Sequence, residues 1–381
     1  MDRSKWEYKK LSMVSMIRMG QSPSSDSYNE EGKGLPFYQG NADFGVLHPQ
    51  VRVYCDAPQR EAYENDILMS VRAPIGSINI ANTHCCIGRG LCAISPMEGK
   101  LDLMYLYYFL ISQNGYLNQQ GTGSTFKSIS KKIIFELSIP VPSVEDQQVI
   151  SGEISCLNEM IAVKQEQLKE FDKLAQSIFY DMFGDIYCTT FDIKTLNEVC
   201  EFIKDGTHQT PTYTEDKENG VKFLSAKDVV GGYINWANIK HIPYELHMEL
   251  HKRVAPKRND LLLCKNGTTG ICAIVDKDET FDIYVSLALL RPHAPSCPIY
   301  LLYAINNPLT KKQFDESLKG VGVPNLHLGE IKKARIIYPP LALQQQFAEK
   351  IQAIEAQKEL VKKSIAETQA LLDYTMDKYF G

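Results

Sequence analysis

Residues 150–182 read ISGEISCLNEMIAVKQEQLKEFDKLAQSIFYDM, and residues 347–379 read FAEKIQAIEAQKELVKKSIAETQALLDYTMDKY. In the first, Ile150, Ile154, Leu157, Ile161, Lys164, Leu168, Phe171, Ala175, Ile178 and Met182 fall at unbroken 4-3-4-3 spacing. In the second, Phe347, Ile351, Ile354, Lys358, Val361, Ile365, Thr368, Leu372, Thr375 and Tyr379 do the same. A 3.5-residue repeat held this long marks a helix–helix seam rather than one face of an ordinary surface helix. Neither stretch has an internal proline, and Gly152 falls in the first turn, where it costs little. About 35 residues at 1.5 Å rise make rods of roughly 50 Å. Two rods in one chain hide their seams most cheaply against each other, with the domain between them carrying the chain back so that they run antiparallel. A coiled coil between two chains is the competing expectation. Lys164, Lys358, Thr368 and Thr375 are expected to set the register at some cost in stability.

Outward from the rods, the chain repeats itself. Asn65-Asp66-Ile67-Leu68-Met69-Ser70 resembles Asn259-Asp260-Leu261-Leu262-Leu263-Cys264, each followed six residues on by glycine, Gly76 and Gly270. Tyr105-Leu106-Tyr107-Tyr108 resembles Tyr300-Leu301-Leu302-Tyr303. Ile139-Pro140-Val141-Pro142, then Gln147-Gln148, is matched to Ile337-Tyr338-Pro339-Pro340, then Gln345-Gln346; Phe183-Gly184 matches Phe380-Gly381. Anchors kept in order point to duplication. Before each rod, short β-rich runs (Val51–Tyr54, Ile67–Val71, Ala273–Val275) alternate with Gly/Pro/Asn turns, and helical stretches fall near Leu101–Ile111 and Ile299–Ile305. The expected fold is α+β: two similar α/β domains, residues 1–142 and 189–340, separated by two long antiparallel coiled-coil helices, residues 143–188 and 341–381, in a pseudo-twofold internal repeat.

Composition excludes several classes. Of 381 residues, 44% are apolar and 10% aromatic, enough for ordinary cores. The apolar stretch Met104–Ile111 is far short of the roughly 18–20 residues of a bilayer span, so no membrane partner is expected. Met1-Asp2-Arg3-Ser4-Lys5 leads into no apolar segment, so no secretory signal is read. Ten cysteines without any C-x-x-C pair suit a reducing cytoplasm, the expected location. The net charge of −5 is concentrated: residues 143–188 carry −6, whereas residues 1–142 and 189–340 carry +1 each and residues 341–381 carry −1. Local patches, not the total, decide nucleic-acid binding.

Catalytic signatures are missing. There is no G-x-x-x-x-G-K-[ST] phosphate loop, and the eight histidines are not read as pairing in H-E-x-x-H or H-x-x-x-H; Gly88-Arg89-Gly90 lacks the third glycine of a dinucleotide turn. Pro339-Pro340 closes a domain and is not a methyltransferase Asn/Asp-Pro-Pro-aromatic loop. Asp276, Asp278 and Glu279 read as a polar turn. No catalytic residue, no metal ligand and no cofactor in this chain is expected.

The loops suggest binding instead. Gly20-Gln21-Ser22-Pro23-Ser24-Ser25 and Asp205-Gly206-Thr207-His208-Gln209-Thr210-Pro211 open the two domains with small hydroxyl residues suited to phosphates and base edges. Arg72-Ala73-Pro74-Ile75-Gly76 and Lys265-Asn266-Gly267-Thr268-Thr269-Gly270 follow the Asn-Asp strands, each with a cation and a glycine. Read alone, these are solvated turns; recurrence favours function. Arg72, Lys127 and Lys265 are the candidate phosphate or groove cations. Ser22, Ser24, Tyr38, Gln39, Asn41, Thr207, His208, Gln209, Thr210, Lys227 and Asn266 are the candidate polar DNA contacts.

This order of features, with Asp205-Gly206-Thr207-His208, Thr210-Pro211, Asn259-Asp260-Leu261-Leu262 and Pro339-Pro340-Leu341-Ala342-Leu343-Gln344-Gln345, resembles the specificity (S) subunits of type I restriction–modification systems over nearly the whole chain. The resemblance implies two target-recognition domains that read an asymmetric, bipartite site in double-stranded DNA. It also implies two methyltransferase (M) and two restriction (R) subunits as partners, with S-adenosylmethionine, ATP and Mg in those partners. Gly20-Gln21-Ser22-Pro23 lacks the histidine of the second loop, His208, which puts a shared role for that residue in doubt. The rods are expected to act as a ruler for the spacer, and their acidic first member to help dock the M subunits. The alternatives are a recognition subunit for a fused nuclease–methylase, a self-contained enzyme, or a structural coiled-coil adaptor.

Overall fold

The computed structural model describes residues 3, 6–122, 127–318 and 325–381. The chain forms two compact units, Met1–Gln165 with Lys362–Gly381, and Glu166–Val361. Each holds one mixed domain and parts of two 40-residue helices, Val144–Phe183 and Leu341–Phe380. The first helix stops short of residue 188. Gly184 takes φ +71° and returns its N–H to the Tyr180 carbonyl at 2.7 Å, a left-handed C-terminal cap.

In the first unit an antiparallel sheet runs in the order Ser15–Met19, Leu91–Pro96, Ile67–Ser70, Ile78–Ile80. In the second, Cys200–Asp205, Leu287–Pro292, Leu261–Cys264, Cys272–Ile274 follow the same order. A separate antiparallel pair, Glu7–Lys10 with Ser138–Val141, is repeated as Asp192–Thr195 with Arg335–Tyr338. Each domain adds a second sheet built around a parallel pair: Leu35–Tyr38 beside Cys85–Ile87, and Val221–Leu224 beside Phe281–Ile283. The run Val51–Tyr54 is mostly irregular, with strand only at Tyr54–Cys55.

The repeated sequence anchors have local causes. Asn65 and Asn259 sit at φ +68° and +71°, a region asparagine tolerates better than other side chains. The following Asp66 and Asp260 each accept a backbone N–H from three residues back, Tyr63 at 2.7 Å and Lys257 at 2.8 Å. Tyr105 and Tyr300 donate their hydroxyls to the carbonyls of Pro140 (2.9 Å) and Ile337 (2.6 Å). Gln147 and Gln344, both fully buried, each accept one backbone N–H and donate to the carbonyl of Pro142 or Pro339. This corrects the sequence matching: Gln147 pairs with Gln344, not Gln345, and Pro140 with Ile337. Adjacent glutamines and prolines left that one-residue slip open.

The heptad positions turn inward, but not only toward each other. Ile150, Ile154, Leu157, Ile161, Leu372, Tyr379 and Phe380 share one buried cluster with Tyr105, Leu106 and Phe109 of the first domain. Ile351, Ile354, Phe347, Phe179 and Phe183 share another with Tyr300 and Leu301 of the second. Leu168, Phe171, Ile178, Val361 and Ile365 are half-buried. Each full burial is worth about 1.5–3 kcal/mol. Inside the first unit Glu153 meets Tyr379 at 3.0 Å and Lys164 meets Thr368 at 3.1 Å and Ser364 at 2.7 Å. Inside the second, Asp172 meets Lys358 at 2.8 Å and the rings of Phe183 and Phe347 lie 5.6 Å apart. In both, the helices run antiparallel. Among the described residues no helix is long and apolar enough to cross a membrane.

Candidate nucleic-acid interface

A set of backbone hydrogen bonds recurs in the two domains and brings the predicted loops to one edge of each. Gly20 N–H bonds Leu91 and Gly206 N–H bonds Leu287; Gln21 bonds Ile87 and Thr207 bonds Ile283. Gly88 bonds Tyr38 as Tyr284 bonds Leu224, and Val71 bonds Gly90 as Lys265 bonds Ser286. Ile129 bonds Val71 as Leu326 bonds Lys265, and Gly76 bonds Ser70 as Gly270 bonds Cys264. A side chain at Gly20 or Gly206 would strike the Gly88 or Ile283 carbonyl at 2.1 or 1.9 Å, so glycine is dictated by this close approach.

In the first domain these bonds gather the 20–25 loop, the Asn41–Asp43 turn, the Gly88-Arg89-Gly90 tip and the Arg72 loop. Ser24, Gln39, Arg72 and Lys127 are exposed, and Ser22 and Asn41 half-buried. The Ala73 N–H bonds the Lys127 carbonyl at 3.2 Å, placing those two cations on adjoining segments. The Arg89 N–H donates to Ser22 Oγ at 3.2 Å, which puts exposed Arg89 at the loop edge; sequence reading passed over it while testing the glycines beside it. Tyr38 does not belong to this surface. It is fully buried, where desolvation pushes its phenol up to about 12, because it lies on the inner parallel strand and not after it.

In the second domain His208, Gln209, Thr210 and Lys227 are exposed, and Thr207 and Asn266 half-buried. Thr207, His208, Gln209 and Thr210 line a cleft of about 460 Å³ whose far wall includes Leu246, Glu249, Leu250 and Arg253. Lys265 is a correction. In the common frame it matches buried Val71, while Asn266 takes the place of Arg72. Lys265 is only 6% exposed, and its ammonium donates to Asp205 Oδ2 at 2.8 Å. The same carboxylate meets Arg253 at 3.0 Å and His208 Nε2 at 3.2 Å. Burial pushes the Asp205 carboxyl up, but the hydrogen bond and charge of Lys265, joined by His208 and Arg253, outweigh it and hold the group below its usual range. Lys265 is a structural counter-ion, and the exposed cation at this site is Arg253.

The acidic turn is likewise paired: Asp276 accepts from Trp236 Nε1, Asp278 from Arg258, and Glu279 from Lys222. Asp66 is held by Arg18 and Asp260 by Arg291. The reading of the histidines is corrected too: His247-Met248-Glu249-Leu250-His251 is an H-x-x-x-H pair, and the fold sets both rings against Asp282.

The family described as type I restriction modification DNA specificity domain matches residues 3–172 and again 189–370. The chain belongs to that family. As a member of the type I specificity family it carries two copies of the DNA specificity domain, each match running from the small sheet pair into a long helix. The MjaX specificity subunit of Methanocaldococcus jannaschii is 39% identical over 162 residues, spanning 42% of this chain and 38% of that relative. The MjaIX specificity subunit of the same organism is 24% identical over 92% of this chain and 86% of its own. The crystal structure of the type I S subunit from M. genitalium aligns with TM-score 0.57 and 16% identity over 99% of this chain and 96% of its own, a likeness of fold.

Proposed function

We propose that this chain is a non-catalytic DNA-reading subunit that selects an asymmetric, bipartite site in double-stranded DNA for a type I restriction–modification complex. The observation that carries this reading is one hydrogen-bonded frame, built twice, presenting different side chains at matched positions: Ser22 against His208, Arg72 against Asn266, Arg89 against Val285. A shared frame with unlike loops reads two unlike blocks. Serine, glutamine and asparagine suit base edges, and Arg72, Lys127, Arg89, Lys227 and Arg253 suit phosphates or guanine. Methyl transfer, ATP hydrolysis and cleavage belong in this reading to two M and two R subunits, which supply S-adenosylmethionine, ATP and Mg sites. The acidic first helix, with Glu153, Glu159, Glu166 and Glu170, helps to dock the M subunits.

Reconstitution tests it. The purified chain alone should neither methylate DNA nor hydrolyse ATP. Added to its methyltransferase subunit, it should confer adenine methylation confined to one bipartite sequence. Methylation by the chain alone would support a self-contained enzyme, and a complex with no sequence preference would support an adaptor.

A further inference from the structure

The helix Tyr244–Leu250 and its C-terminal cap residue carry His247 and His251 on one face, turned toward Asp282 on the strand Phe281–Ile283. His247 Nδ1 lies 2.7 Å from Asp282 Oδ2, and His251 Nδ1 lies 3.2 Å from Oδ1. One donor atom from each residue falls within 4.8 Å of the others. Asp282 is 1% and His247 6% exposed, whereas His251 is half-buried.

We propose that His247, His251 and Asp282 form a binding site for one divalent transition-metal ion of the zinc class. Three arguments converge. Two imidazoles and one carboxylate are the donors such ions take, whereas magnesium and calcium prefer all-oxygen sets. Tetrahedral bonds of about 2.0–2.2 Å place donor atoms roughly 3.3–3.6 Å apart, so the triad needs only a small opening, and half-buried His251 has room to turn. The third argument is electrostatic. A buried carboxylate is costly without a cation, and elsewhere in these domains Arg18, Lys265 and Arg291 serve Asp66, Asp205 and Asp260. Among the described residues, Asp282 has no lysine or arginine partner, and its ion-pair partners are the two histidines. A bound ion supplies a permanent charge and pins the helix to the sheet. Asp282 also lines the cleft beside the 206–212 loop. The first domain has Cys86 at the strand position of Asp282, so the site belongs to one domain alone. None of this depends on the DNA-reading assignment.

The test uses the full chain, stripped of metal and titrated with Co²⁺ and then Zn²⁺ alone. The expected result is one equivalent bound, visible absorption of four-coordinate Co²⁺ that Zn²⁺ abolishes, and a higher Tm with either ion. The ten cysteines are distinguished by the near-ultraviolet charge-transfer band of thiolate ligation, which should be missing. His251→Ala and the larger His251→Gln, both at a half-buried position, should keep the native circular dichroism spectrum and lose at least about tenfold in affinity. No stoichiometric binding, a thiolate band accounting for it, or unchanged affinity in both variants would overturn the site.

Discussion

Asp205 shows how one buried carboxylate organises a loop. Lys265 neutralises it from within, and Arg253 and His208 meet it from the solvent side. Lys265→Met should cost about 3 kcal/mol, the low end for a broken buried pair because two basic partners remain; chemical denaturation of the full chain measures it. The pH sign follows from the depressed carboxyl. Its contribution is complete above the ordinary aspartate range near pH 4 and is lost as pH falls through the lower folded-state value. Acid unfolding of Asp205→Asn should lack that portion of the pH dependence; an identical acid profile would show that the ion pair contributes nothing. At this scale sequence was a partial guide. It placed His208, Gln209 and Lys227 on exposed loops, but a cation at a loop tip and a buried counter-ion look alike until register is known, which is why Lys265 was misplaced. Tyr38 failed for a related reason: residue type does not show that the last residue of the strand Leu35–Tyr38 packs inward.

The two helices were the most legible elements, because a 3.5-residue period sustained over 33 residues leaves little freedom in which face is buried. Their partners were less legible. Phe179, Phe183 and Phe380 stand outside the 4-3 pattern yet are buried, since the domains claim a second face of each helix through Tyr300, Tyr105 and Phe109. The polar seam residues are also placed with purpose: Lys164 reaches the hydroxyls of Ser364 and Thr368, and Lys358 the carboxylate of Asp172, cross-helix contacts available only in this antiparallel register. Leu168→Asp puts a charge on a half-buried seam position that leucine fills with apolar surface. Helicity by circular dichroism should drop and Tm should fall, by about 2.5 °C for each 2 kcal/mol lost when a chain of this size melts as one unit. An unchanged melt would contradict a buried seam at that point.

At the scale of the whole molecule, duplication was readable from a handful of residues because the backbone makes a fixed demand on each of them. Asn65 and Asn259 stand in left-handed turns, Gly20 and Gly206 at a close approach, and Gln147 and Gln344 bond the Pro142 and Pro339 carbonyls where the chain enters each long helix. The second sheets were not readable, since their strands are short and differ between the domains. If helix length sets the gap between the two DNA blocks, two added heptads in each helix, at matched positions, should lengthen the spacer and leave both blocks intact; methylome sequencing showing the old spacer would refute the ruler. The sharpest test of the central claim exchanges residues 189–340 for the corresponding domain of another type I specificity chain and sequences the methylome made with the native methyltransferase. One block of the methylated site should change, while the other block stays as it was. Loss of both blocks together, or retention of the original site, would contradict two independent readers on a repeated frame.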